Sequence, residues 1–289
     1  MTKREDRGLR HHAANDPDTL PSNQAVTMHK HPVDFAFETS SNPTMQEILA
    51  TIKRIAASHV NVLITGEGGT GKEWMATIIH KSSPRIAGPL VTVECASIPS
   101  EQLERELFGY ESITWKGVDI KPGGFEEARE GTLLMNEIGQ VPPPMLMRVA
   151  RAAEYQWVRR IGSEVQVDIN TRVIATMTVH NHAPSWKGTI GEEVLHRLSP
   201  IHIELPPLRR RREDIPFLVN GFLGEIRERA GSGPERLSQD ALDVCIRFDW
   251  PGNIRHLRNA IEYASVMCGE DTIMPAHLPT YLHETGRKG

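Results

Sequence analysis

Val62-Leu63-Ile64-Thr65-Gly66-Glu67-Gly68-Gly69-Thr70-Gly71-Lys72-Glu73 is the stretch on which the fold turns. An apolar run that reads as a buried strand breaks into glycine-rich sequence. It then enters Trp74-Met75-Ala76-Thr77-Ile78-Ile79-His80, which reads as a helix. Strand, glycine loop and helix together make a P-loop arrangement. The glycines let backbone N–H groups turn inward around phosphate oxygens, and the helix N-terminus adds a partial positive charge. Lys72 reaches the outer phosphates as a point charge. The candidate phosphate-binding residues are therefore Gly66, Glu67, Gly68, Gly69, Thr70, Gly71, Lys72 and Glu73. The Ser or Thr that commonly follows the lysine is missing. Glu73 stands in its place, so the usual hydroxyl ligand for magnesium is absent.

The flanks extend the pattern. Asn42-Pro43-Thr44 opens a helix whose Met45, Ile48, Leu49, Ile52 and Ile55 share one face. After the P-loop unit, strands are expected at Leu90–Cys95, Leu133–Met135, Thr171–Thr176 and Ile201–Leu205, with helices at Ser100–Gly109 and Pro144–Tyr155 between them. Strands alternating with helices predict a parallel α/β sheet. Beyond Pro206-Pro207 the apolar spacing turns helical to about Tyr281. That predicts a small all-α second domain with a turn at Gly231-Ser232-Gly233-Pro234. The expected division is a polar, disordered leader over 1–37, an α/β nucleotide-binding domain over 38–207, a helical lid over 208–283 and a tail over 284–289.

Composition narrows the function classes. The 289 residues are 39% apolar and 24% charged, with 33 basic against 37 acidic residues. A net charge of -4 argues against a dedicated nucleic-acid-binding domain. The three cysteines, Cys95, Cys245 and Cys268, form no CxxC pair and suit a reduced cytoplasm, with Cys95 read as buried filler. No apolar run is long enough to span a membrane, and no secretory signal is visible.

Further motifs follow in order. They are Glu106-Leu107-Phe108-Gly109, Phe125-Glu126-Glu127-Ala128, Arg172-Val173-Ile174-Ala175, Leu205-Pro206-Pro207-Leu208-Arg209, Arg212-Glu213-Asp214-Ile215-Pro216 and Trp250-Pro251-Gly252-Asn253-Ile254-Arg255. With the P-loop, this series resembles the central AAA+ domain of bacterial enhancer-binding proteins, the sigma-54-dependent transcription activators. The resemblance spans about residues 37–282. It implies a cytoplasmic, ring-forming ATPase that uses ATP and magnesium to push a surface loop against sigma-54 RNA polymerase holoenzyme. The helix-turn-helix found in typical members is not seen, so no direct DNA-binding domain is expected.

Several slots depart from the family pattern. The acidic motif at the tip of the Leu133–Met135 strand reads Asn136-Glu137 instead of Asp-Glu. The resemblance makes Glu137 the residue that polarises the attacking water. Asn136 is left as a weak magnesium partner acting through water. Near 4 Å and an effective dielectric of about 20, the lost charge pair is worth roughly 4 kcal/mol before desolvation. The loop that contacts sigma-54 falls on Ile113-Thr114-Trp115-Lys116-Gly117-Val118, so Thr114, Trp115, Lys116 and Gly117 are the candidate partner contacts. Trp115 is either exposed for a partner or folded back. Thr178 stands where an Asn would sense the γ-phosphate. Arg197 matches one of two arginines that reach a neighbour's ATP, and it equally fits a surface ion pair; Gly191 stands in the other slot. An arginine finger contributes on the order of 10³–10⁵ in rate. Arg255 matches an arginine that touches the nucleotide from the lid. The run Arg209–Arg212 reads as an exposed helix start or subunit edge ahead of a DNA contact.

Two readings follow. One is an ATP-driven remodeller of sigma-54 polymerase working as a ring of identical subunits. The other is a catalytically impaired subunit that binds ATP and joins rings with a related, full-length activator.

Overall fold

The computed structural model describes residues 40–115, 117–179 and 190–284. The expected leader, most of the expected tail and Lys116 lie outside these. The elements below all belong to one compact unit, His31–Gly289.

Helix α1 (Pro43–Ala56) starts as its sequence dictates: Asn42 accepts from the Met45 N–H at 3.2 Å, and Pro43 takes the first turn, where no donor is missed. Strand β1 (Val62–Gly66) is buried at every position, as a parallel strand covered on both faces must be. Helix α2 (Lys72–Lys81), strand β2 (Leu90–Glu94) and helix α3 (Ser100–Phe108) follow. Next come a hairpin of β3 (Tyr110–Thr114) and β4 (Gly117–Lys121), short helix α4 (Gly124–Glu127) and strand β5 (Thr132–Asn136). Helix α5 (Pro143–Tyr155), a second hairpin of β6 (Trp157–Arg159) and β7 (Gln166–Asp168), strand β8 (Arg172–Thr178), helix α6 (Ile190–Leu198) and strand β9 (Ile201–Leu205) complete the α/β part.

The central sheet is five-stranded and parallel, in the order β2-β5-β8-β1-β9. Its register sets Glu94 opposite Asn136, and Gly66 opposite both Thr178 and Leu205. The carboxyl ends of the strands thus share one edge, and ligands of open α/β sheets bind at such an edge. One core, including Ile64, Met75, Ile79, Ile174 and Ile203, runs on into the helical part through Leu208, Leu218, Phe222 and Trp250. A second lies on the other sheet face around Leu107, Phe125, Leu133, Val149 and Val173.

The lid is built from α7 (Ile215–Ala230), α8 (Gln239–Arg247), α9 (Asn253–Met267) and α10 (Tyr281–Glu284). It is not purely helical: β10 (Arg236–Leu237) pairs in parallel with β11 (Thr272–Ile273) and ties the Gly-rich turn to the end of α9. The slot read as a partner loop forms the turn and flanks of an antiparallel hairpin, with Ile113 opposite Val118 and Thr114 opposite Gly117. One expectation is corrected. The Arg209–Arg212 run is mostly internal bracing. Arg209 forks onto Glu67 at 2.6 and 2.7 Å, Arg211 is buried and donates to the Thr70 carbonyl at 2.7 Å, and Arg212 holds Asp249 at 2.6 Å. Arg210 alone of these is exposed. Cys95, Cys245 and Cys268 are free and buried, and burial pushes the thiols of Cys95 and Cys245 up to about 12.

Candidate functional site

The glycines of the loop stand where side chains would collide. A Cβ on Gly66 would lie 2.9 Å from the Leu205 carbonyl oxygen, and one on Gly69 only 2.3 Å from that of Gly252. Gly69 and Gly71 also take positive φ, at 78° and 99°. Gly71 opens α2 without a side-chain cap, so the first amide donors of that helix stand available to an anion.

Lys72 is 7% exposed and aimed back across the loop. Its Nζ donates to the carbonyls of Gly66 and Glu67, each at 3.3 Å, and to Thr178 Oγ1 at 2.8 Å. Glu137 lies 3.7 Å away. Burial pushes the Lys72 ammonium below its ordinary range, and the Glu137 carboxylate opposes that shift. Glu137 follows β5 in a left-handed turn, φ 55°, that swings its side chain toward β8. There it accepts from the Thr178 amide at 2.8 Å and the Thr178 hydroxyl at 2.5 Å. Lys72, Thr178 and Glu137 therefore form one polar cluster at the strand ends.

Asn136 is 1% exposed and held at both ends of its amide. Its nitrogen donates to Glu94 Oε1 at 2.6 Å, and its oxygen accepts from the Thr176 hydroxyl at 3.1 Å. Burial pushes the Glu73 carboxyl upward, and the negative charge of Glu94 adds to that. Glu94 escaped the reading of the sequence because a lone charged residue at a strand end looks solvated.

The lid closes the other wall. Ile254 donates its N–H to the Gly69 carbonyl at 2.9 Å. Asn253, fully buried with φ 52°, donates to the Gly68 carbonyl at 3.0 Å and to Glu67 at 3.3 Å, and accepts from the Leu208 N–H at 2.8 Å. One side chain thus joins the phosphate loop, the interdomain linker and the lid. The Gly-Asn-Ile-Arg motif had pointed only to Arg255. A cleft of ≈ 320 Å³ results, lined by Gly68, Gly71, Lys72, Glu137, Thr178 and Arg255 among others. A neighbouring chamber of ≈ 580 Å³ shares Gly68 and Arg255 and adds Arg209 and His256.

Two predicted groups stand apart from this cleft. Arg197 pairs with Glu154 at 2.8 Å and lines a separate ≈ 620 Å³ groove with Phe108, Arg148 and Trp157. The candidate site is the P-loop cleft, where the uncapped helix start and Lys72 face the opening. Gly191 lies within α6. Trp115 sits at the turn of the β3–β4 hairpin and is 91% exposed. Val118 and Ile120 on the same hairpin are exposed as well. At the hairpin base the Glu111 N–H donates to the Ile161 carbonyl at 2.8 Å, and Arg160, which forks onto Glu126 at 2.6 and 2.8 Å, lies 4.0 Å from the Glu111 carboxylate.

A family model described as the sigma-54 interaction domain matches residues 39–204, and an AAA+ ATPase lid domain matches 209–289. The transcriptional regulatory protein ZraR of Escherichia coli O157:H7 is 41% identical over 245 residues, 84% of this chain and 56% of that protein. The DNA-binding transcriptional regulator NtrC of Klebsiella pneumoniae is 36% identical over 244 residues, 84% of this chain and 52% of that one. NtrX from Brucella abortus, solved in complex with ATP, superposes with a TM-score of 0.76 at 35% identity, covering 85% of this chain and 55% of that one. The chain spans about half the length of the curated relatives it matches.

Proposed function

The chain belongs to the sigma-54 interaction domain family, with an AAA+ lid, and from that premise we propose that it binds ATP in the P-loop cleft and remodels sigma-54 RNA polymerase holoenzyme at the expense of hydrolysis. The observation that carries this is the Lys72–Thr178–Glu137 cluster facing an uncapped helix start under a lid that grips the loop. NtrX, a relative with the same fold, was solved with ATP.

In this reading, the loop amides and Lys72 take the phosphates, and Arg255 approaches from the lid. Thr178 keeps its hydroxyl and amide on Glu137, orienting the carboxylate that polarises water. Magnesium bound with the nucleotide would neutralise phosphate charge, and Glu73, which lines the cleft, is a hard oxygen donor of the kind it takes. Arg197 belongs to the neighbouring subunit's site in a ring, which explains why it lies away from the cleft of its own chain. The proposed division is an α/β nucleotide-binding domain over 38–207 and a lid over 208–283. Trp115, with Thr114, Lys116 and Gly117 around it, is the contact to sigma-54.

A second reading, a weak subunit in mixed rings with a related activator, is supported by Gly191, which leaves α6 without the second arginine. The test is ATP turnover on the isolated chain and on Lys72→Ala. Turnover that vanishes in the variant supports the first reading. ATP binding without turnover at any protein concentration supports the second.

A further inference from the structure

The ≈ 620 Å³ groove walled by α3, α5, β6 and α6 concentrates cations. Arg148, Arg151, Arg159 and Arg197 line it and no acidic residue does, in a chain whose net charge is -4. Local sequence explains the concentration. Arg148, Arg151 and Tyr155 recur at helical spacing on one face of α5, and Trp157 and Arg159 alternate onto one face of β6. Three of the arginines hold carboxylates at the rim: Arg148 holds Glu104, Arg159 holds Glu164 at 3.4 Å, and Arg197 holds Glu154 at 2.8 Å. Such pairs at a surface contribute little, so a guanidinium can exchange its carboxylate for another anion. Arg151 is exposed, and no ion pair of it occurs among the described residues.

Flat surfaces lie between the charges. The Arg148 guanidinium lies over the Phe108 ring, 4.0 Å from its centroid, and that of Arg159 is 5.5 Å from the Trp157 ring. Tyr155 is 56% exposed. Guanidiniums take phosphates through paired N–H donors, and aromatic rings take unpaired bases by stacking. An acidic peptide would use the arginines and leave Tyr155 and Trp157 idle. A duplex keeps its bases stacked on one another. An unpaired strand uses both sets of groups.

We infer that this groove binds single-stranded nucleic acid, with phosphates on the arginines and bases on Tyr155 and Trp157, and without sequence preference. It is a local patch on an acidic chain. Binding needs no ATP, so the inference stands apart from the reading of the P-loop cleft. Arg197, which that reading gives to a neighbour's site, is left unchanged in the test.

Fluorescein-labelled oligothymidylate of about twelve nucleotides, within the usual span of such sites, is titrated with the full chain in the absence of nucleotide. Anisotropy is read at several salt concentrations. The strand should bind in roughly the micromolar range at low salt, and log affinity should fall against log salt with a slope of about -3 for four phosphates contacted. A duplex of the same length should bind roughly tenfold more weakly. Arg151→Gln should make the slope shallower by roughly 0.7. Tyr155→Ala should weaken binding roughly tenfold with the slope unchanged. Both side chains are exposed, so both variants should melt like wild type. No binding at low salt, a duplex bound as tightly, or variants that bind like wild type would overturn the inference. So would displacement of the strand by polyglutamate at equal charge, which would assign the groove to an acidic chain. Displacement by thymidine monophosphate at the strand's own concentration would assign it to a free nucleotide and overturn the inference too.

Discussion

Asn136→Asp restores the family's acidic pair on paper, yet the structure predicts that it harms the protein. The new carboxylate would stand where the Asn136 amide now donates to Glu94 at 2.6 Å. A stabilising bond becomes a contact between two acceptors of like charge. At about 3 Å and an effective dielectric near 20, the repulsion is roughly 5 kcal/mol. Solvent at the exposed Glu94 screens it, and the pair relieves the rest by sharing one proton. A net loss of about 1–3 kcal/mol at pH 8 follows. The sign against pH is fixed. The folded variant holds a proton that the unfolded chain has released, so stability is intact near pH 4 and falls as pH rises through the carboxyl range. Urea denaturation at pH 4.5 and pH 8, on wild type, Asn136→Asp, Glu94→Gln and the double exchange, makes a thermodynamic cycle. The double exchange should return most of the lost stability at pH 8. An Asn136→Asp protein as stable as wild type at both pH values would refute the reasoning, because Glu94 would then not be held against position 136.

Three further outcomes follow from single contacts. Asn253→Ala strips partners from the Leu208 N–H and the Gly68 carbonyl and leaves a non-Asn residue at φ 52°; a loss of about 2–4 kcal/mol is expected in urea unfolding, together with weaker ATP binding. Trp115→Ala, at a site 91% exposed, should leave melting temperature and ATP affinity unchanged and abolish capture of sigma-54 holoenzyme in a pull-down with a transition-state nucleotide analogue. His80 is buried against Thr132 at 2.9 Å, and burial, with Arg172 nearby, holds its imidazole below the ordinary 6.5. The unfolded chain therefore takes that proton first, and stability present above pH 6.5 is lost as pH falls below it. His80→Gln should make that acid-side slope shallower, read from melting temperature across pH 5–7.

The P-loop stretch made the α/β class legible because an apolar strand running into glycines and a helix has few other readings. Strand order was not legible: β1 pairs with β8 and β9, which lie far from it in sequence. The β3–β4 hairpin was hidden because Trp115 and Lys116 lack the Asn-Gly or Asp-Gly signal of a tight turn. The arginine run was misread for a similar reason. Four like charges in a row look solvated, and the partners that hold two of them, Glu67 and Thr70, lie about 140 residues away. Lys72, Glu137 and Thr178 were found because each ends or follows a recognisable element. Glu94 and Asn253 needed the register and the lid docking before their roles could be seen.

The central claim is that this cleft hydrolyses ATP when subunits meet. The most direct test is steady-state hydrolysis with magnesium over a wide range of protein concentration, for wild type and Lys72→Ala. The account predicts that turnover per subunit rises with concentration, as Arg197 of one chain reaches the ATP of the next, and that Lys72→Ala has none. Turnover per subunit independent of concentration, or activity that survives Lys72→Ala, would contradict it.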